Sequence, residues 1–142
     1  MPLRPEATLE NAQKIGVDRL PGLVGFTVTG LEENRVSAEL EVKPHLVAPN
    51  GYLHAATVIA LADTACGYGC RAHLPEGAEG FTTIELKANF LGTARDGIIQ
   101  TVATPAHLGG TTHVWDATVT RKSDGKAIAL FRCTQMILYP KR

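Results

Sequence analysis

Ala55-Ala56-Thr57-Val58-Ile59-Ala60-Leu61-Ala62-Asp63-Thr64-Ala65-Cys66-Gly67-Tyr68-Gly69-Cys70-Arg71-Ala72 is the stretch that decides how this 142-residue chain folds. Helix formers and small residues run through it, and the turn-forming Leu74-Pro75-Glu76-Gly77 closes it. At a rise of ~1.5 Å per residue it makes a helix about 25 Å long, apolar around most of its girth. Such a helix is covered on most sides, and the cover that the rest of the chain offers is a sheet.

Upstream, Val36, Ala38, Leu40 and Val42 alternate with Arg35, Ser37, Glu39, Glu41 and Lys43. That alternation is a half-buried antiparallel strand, ended by Pro44 and followed by a loop over 45–51 that contains Pro49-Asn50-Gly51. Residues 22–31 read as a less regular strand, with a turn at Glu32-Glu33-Asn34. Leu9, Ala12, Gln13 and Ile15 give residues 7–18 a weak helical period that Gly16 and Pro21 end.

Downstream, Ile84, Leu86, Ala88 and Phe90 alternate with Thr83, Glu85, Lys87 and Asn89. Turns at Arg95-Asp96-Gly97, at residues 106–110 and at Ser123-Asp124-Gly125 separate strands over 98–104, 111–120 and 127–138. The last strand is apolar on both faces: Phe131, Cys133 and Ile137 on one, Ile128, Leu130, Met136 and Leu138 on the other. One face suits the long helix and the other a partner subunit. The outline is an α+β fold, an antiparallel sheet wrapped around one helix, forming a single domain over 1–142 with an N-terminal helical segment over 1–19.

Composition excludes several functions. Fourteen Lys+Arg balance fourteen Asp+Glu and aromatics make up only 6%, so the chain lacks both the basic excess and the stacking platform of a nucleic-acid binder. No stretch has the length of a membrane span, and the N-terminus has no apolar signal core, so a cytoplasmic protein without membrane contact is expected. Cys66, Cys70 and Cys133 are an odd number, unlike a secreted disulfide framework. Zinc-site spacing is absent as well, so the three read as small buried side chains, with no metal and no cofactor.

Asp63 is the only charged residue between His54 and Arg71, and it shares a helical stripe with Ala56, Ile59, Ala60, Cys66, Gly67 and Cys70. Burying a carboxylate is costly without partners. Either Asp63 ties the helix down by accepting hydrogen bonds from Thr64, Thr57 or a strand, or it is a nucleophile or general base at an apolar cleft. The first N–H groups of the helix, around His54, Ala55 and Ala56, offer donors that could hold an oxyanion.

In Gly51-Tyr52-Leu53-His54-Ala55-Ala56, with Asp63 nine residues after His54, the chain resembles the hotdog-fold thioesterases. The nearest branch holds the phenylacetate-pathway, hydroxybenzoyl-CoA and menaquinone-pathway enzymes. The likeness covers residues 20–138 and includes Glu85-Leu86-Lys87-Ala88-Asn89-Phe90, His107-Leu108-Gly109-Gly110 and Val114-Trp115. It implies an acyl-CoA thioesterase that is a dimer or a dimer of dimers, with sites at the interface. Asp63 would then attack the thioester or activate water, the Ala55 N–H would hold the oxyanion, and His54 would orient the helix start. Gly51 and Asn50 would shape the loop under the carbonyl, and Thr64 and Asn89 would contact substrate. Arg95, His107 and the Gly109-Gly110-Thr111 backbone would meet the nucleotide end of CoA. His107 and His113 also read simply as solvated loop histidines.

The chain departs from the family pattern at Ala55-Ala56, where Gly-Gly is usual, and at Ala48, where Asn or Gln is common; Asn50 is a shifted substitute. A hotdog dehydratase of hydroxyacyl thioesters and a non-catalytic acyl-CoA-binding module are the competing readings.

Overall fold

A computed structural model describes residues 1–141. In chain order the elements are α1 (Leu9–Ile15), α2 (Leu20–Val24), β1 (Thr27–Glu32), β2 (Arg35–Glu41), a 3₁₀ turn at Pro44–Leu46, α3 (Ala55–Ala72), β3 (Gly80–Phe90), β4 (Ile98–Leu108), β5 (Thr112–Arg121) and β6 (Ala127–Leu138). The six strands form one sheet in the order β1-β2-β4-β5-β6-β3, antiparallel throughout. β3 leaves α3 and crosses to the far edge beside β6, so the chain wraps its sheet around the helix. This is the hotdog fold.

The helix sits close to the sheet because its inner side chains are small. Ala62, Ala65, Cys66 and Cys70 are fully buried with Leu61, against Ile99, Ala103, Trp115, Val119 and Cys133 of the strands. Gly69 makes the closest approach: a Cβ there would lie 2.5 Å from Cζ3 of Trp115, so only glycine lets that ring lie on the helix. All three cysteines are free and buried; burial pushes the Cys70 thiol up to about 12, which leaves it inert as a nucleophile.

At the C-terminal end of α3, His73 is fully buried, with Nδ1 on the carbonyl of Gly69 (2.7 Å) and Nε2 accepting the Asn34 N–H (2.8 Å). It joins the helix end to the β1–β2 turn. The N-terminal segment is tied on by Gln13, whose Oε1 accepts the Val28 N–H at 2.8 Å, and by Arg4, whose guanidinium donates to the carbonyls of Leu74, Pro75 and Ala78.

Three expectations are corrected. Residues 22–24, expected to start a strand, belong to α2 (Leu20–Val24): Pro21 fits a first helical turn, and Gly25 stops the helix at φ +80°. β4 runs on to Leu108 through an irregularity between Pro105 and His107, which removes the need for a proline N–H in the ladder. His113 is a fully buried residue of β5, not a solvated loop histidine. On β6, Leu130, Met136 and Leu138 are 46%, 43% and 39% exposed, so the outer sheet face is open in a single subunit.

Candidate active site

The loop before α3 is a small hairpin with a bridge between Val47 and Leu53. Gly51 turns it at φ +88°, a conformation that favours glycine, and the Asn50 side chain accepts the Tyr52 N–H at 3.1 Å. Asn50 thus uses its oxygen to close its own turn. Thr93 and Thr57 anchor the loop: Thr93 Oγ1 accepts the Leu53 N–H (3.0 Å), and Thr57 Oγ1 donates to the Leu46 carbonyl (2.8 Å). His54 is the N-cap of α3, and its Nδ1 accepts the Ala56 N–H at 2.9 Å. Among the described residues the Ala55 N–H has no acceptor, so it remains a free donor at the positive end of the helix dipole.

Asp63 lies in mid-helix, half-buried, on the wall of a 310 Å³ cavity shared with Thr64, Gly67, Tyr68, Phe81 and Arg71. Its Oδ1 is buried without a hydrogen-bond partner among the described residues. The bonds that a purely structural aspartate would need are absent: Thr57 is committed to Leu46, and Thr64 donates nothing to it. Burial raises the Asp63 carboxyl above its ordinary value, as expected of a carboxylate held ready as a base.

Sequence reasoning missed Tyr68, Phe81, Arg19 and Arg71 as cavity residues. A signal for Arg71 was available, since it follows Asp63 by eight residues, about two helical turns, on the same face. Phe81 comes from β3 and Arg19 from the segment before α2, so only the fold brings them in.

The other candidates fall into separate places. Arg95 joins the loop before α3, its guanidinium 5.3 Å from the centroid of the Tyr52 ring. Asn89 pairs with Leu130 on the outer sheet face, away from Asp63. His107, Gly109, Gly110 and Thr111 lie at the far end of β4, an 11-residue strand whose ~33 Å length separates them from Arg95. There Gly110 accepts from the Tyr139 hydroxyl, and Thr111 accepts the Ile137 N–H at 2.9 Å. One subunit therefore does not unite the two groups assigned to the CoA end. It does not unite Ala55 with Asp63 either, since eight residues of helix put about 12 Å between them. Among the described residues no cluster of His, Cys, Asp or Glu is placed to hold a metal ion, and no helix is long and apolar enough to cross a membrane.

A fold of one long helix in an antiparallel sheet, with an unpaired carboxylate at a cleft in mid-helix, defines a class, and comparison with known proteins agrees with it. The sequence profile of the thioesterase superfamily matches residues 50–128, more than half of the chain. The chain belongs to that superfamily and is a thioester hydrolase. It is 29% identical over 111 residues to a 1,4-dihydroxy-2-naphthoyl-CoA hydrolase of Listeria monocytogenes, an alignment covering 78% of this chain and 89% of the relative. The solved structure of a thioesterase from Haemophilus influenzae superposes with a TM-score of 0.90 at 25% identity, over 98% of this chain and 96% of that one. A variant thioesterase from Pseudomonas aeruginosa superposes equally well (TM-score 0.90, 26% identity, 97% and 99% covered).

Proposed function

We propose that the chain hydrolyses the thioester of an acyl- or aroyl-CoA in the cytosol, with Asp63 as the group that acts on the carbonyl. The observation that carries this is the half-buried Asp63 carboxylate, whose buried Oδ1 has no hydrogen-bond partner among the described residues and which lines a 310 Å³ cavity. As base, Asp63 takes a proton from water and hydroxide adds to the carbonyl carbon. The oxyanion then collapses, the C–S bond breaks, and the departing CoA thiolate takes up the proton. As nucleophile, its carboxylate adds to the carbonyl, the C–S bond breaks and CoA thiolate leaves; water then cleaves the resulting acyl-carboxylate anhydride, regenerating the Asp63 carboxylate and supplying the proton that the thiolate takes up. In both routes a free N–H, that of Ala55, suits the oxyanion.

The 12 Å gap between Ala55 and Asp63 argues for a site completed by a second copy, whose helix start faces Asp63. β3 supports this reading: it is an edge strand of 11 residues with Ile84, Leu86 and Phe90 exposed, a surface that a second β3 would cover. The open outer face at Leu130, Met136 and Leu138 suits pairing of two such dimers. Three buried free thiols fit a reducing compartment.

Asp63→Asn tests the reading. Hydrolysis of a panel of acyl-CoAs, followed with a thiol reagent, should fall at least about 10²-fold. The fold should gain stability at neutral pH. With the carboxyl raised, wild-type stability declines as pH climbs through that raised value, and asparagine has no charge to desolvate. Intact turnover, or a variant that unfolds, would return Asp63 to a structural role.

A further inference from the structure

Beneath Asp63 runs a buried polar chain that the chemistry above leaves unused. Gln135 of β6 is fully buried, and both ends of its amide are committed. Its Nε2 donates to Cys133 Sγ at 3.4 Å, and its Oε1 accepts the Thr83 hydroxyl at 2.7 Å. The Cys66 thiol, three residues after Asp63 on α3, hydrogen-bonds Cys133 in turn. Of these four side chains, Thr83 is the one that lines the Asp63 cavity.

The register of helix and strand places Thr83. Gly67 faces Phe81, since a Cβ at 67 would come within 3.2 Å of Cζ of that ring. β3 returns along α3 after the loop over 73–79. From the Gly67–Phe81 contact, one turn back along α3, about 6 Å, leads to Asp63. Two residues onward along β3, about 7 Å in the same direction, lead to Thr83. Thr83 therefore stands across the cavity from Asp63. Directly after it the ladder with β6 is irregular, between Thr83 and Glu85, a bulge of the kind that re-aims a side chain beside a site.

A hydroxyl has one proton to donate and two lone pairs to accept with. Gln135 takes the proton, so toward the cavity Thr83 can only accept. Ionised Asp63, whose Oδ1 has no partner among the described residues, can only accept as well. Two acceptors on opposite walls call for a molecule with two donors, and water has two O–H groups.

We propose that Thr83 holds the hydrolytic water, its Oγ1 accepting one hydrogen while Asp63 accepts the other. The inference rests on the acyl-CoA reading above and adds a second group to its base route. Asp63 takes its hydrogen as a proton, the hydroxide oxygen adds to the carbonyl carbon, the C–S bond breaks, and the thiolate receives that proton from Asp63. The hydrogen on Thr83 is never transferred: it stays on the oxygen that becomes the hydroxyl of the acid product. The bond to Gln135 fixes the Thr83 lone pairs toward the water.

The test uses the full-length protein and the acyl-CoA that wild type cleaves fastest, with folding checked by circular dichroism. Thr83→Val keeps the branched shape but loses the oxygen. Its kcat should fall at least about tenfold with KM within about twofold, since the water and not the acyl-CoA loses its hold. Thr83→Ser, which restores the oxygen, should bring kcat back to within about threefold of wild type. Valine at 83 leaves Gln135 Oε1 buried without a donor; if that variant does not fold, Thr83→Val with Gln135→Leu removes both partners, and the same loss is expected. Retained kcat in a folded Thr83→Val or in the double variant, an effect on KM alone, or a Thr83→Ser as slow as Thr83→Val would overturn the role of Thr83. Asp63→Asn run alongside separates the two levels. Intact turnover there, or a wild type that cleaves no acyl-CoA, overturns the functional reading and this inference with it, whereas an inactive Asp63→Asn beside a fully active Thr83→Val overturns this inference alone.

Discussion

Gly67 and Gly69 stand two residues apart on one helix, yet the same substitution should move stability in opposite directions. In a helix interior, Gly→Ala gains about 1 kcal/mol from propensity alone. At Gly69 the new Cβ would lie 2.5 and 2.6 Å from Cζ3 and Cη2 of Trp115, against the ~3.5 Å at which carbon atoms pack. The ring would have to retreat by about 1 Å. It has nowhere to go: Trp115 is fully buried, tilted against His73 at 5.4 Å, with its Nε1 on Nδ1 of His113. Overpacking of this kind costs ~3 kcal/mol, so the net loss is about 2 kcal/mol, or roughly 4–8 °C in Tm.

At Gly67 the Cβ would meet the edge of the half-buried Phe81 ring, 3.2 Å from Cζ and 3.7 Å from Cε2, and that ring can yield by a few tenths of an ångström. Gly67→Ala should therefore be neutral or stabilising by up to ~1 kcal/mol. Guanidinium unfolding at one fixed protein concentration, to hold any subunit association constant, measures both. A Gly69→Ala variant as stable as the parent, or equal shifts at the two positions, would refute the argument that ring packing sets the helix–sheet distance.

Two further outcomes follow from the structure. Burial, with His73 and His107 adding to it, lowers His113 from its ordinary value of 6.5 to about 4. The unfolded chain then binds the extra proton first, so stability is full above pH 6.5 and falls as pH drops toward 4. His113→Gln should flatten that slope in urea unfolding, and an unchanged slope would show that other groups set the acid limb. Arg95→Ala should raise KM for acyl-CoA several-fold with kcat little changed, and should leave KM for a truncated thioester lacking the nucleotide as it was. Equal losses on both substrates would mean that Arg95, stacked on Tyr52, only holds the 47–53 turn in shape.

Local patterns determined a large share of this protein. The bounds of α3 and β6, the alternation of β2 and the singularity of Asp63 are legible in short windows, because helix and strand periods and the cost of a lone carboxylate are properties of neighbours along the chain. The motif from Gly51 to Asp63 carried the fold family for the same reason. Tertiary structure decided the rest. Residues 20–24 turn into a helix where proline and a left-handed glycine outweigh apolar content. His113 sits in a strand whose period does not reveal that α3 and His73 close over it. The crossover of β3 to the sheet edge brings Phe81 to Asp63, and the N-terminal segment brings Arg19 and Gly16. Those placements depend on which strands pair and what packs across them, and pairings between residues far apart in the chain leave no period in the sequence to read.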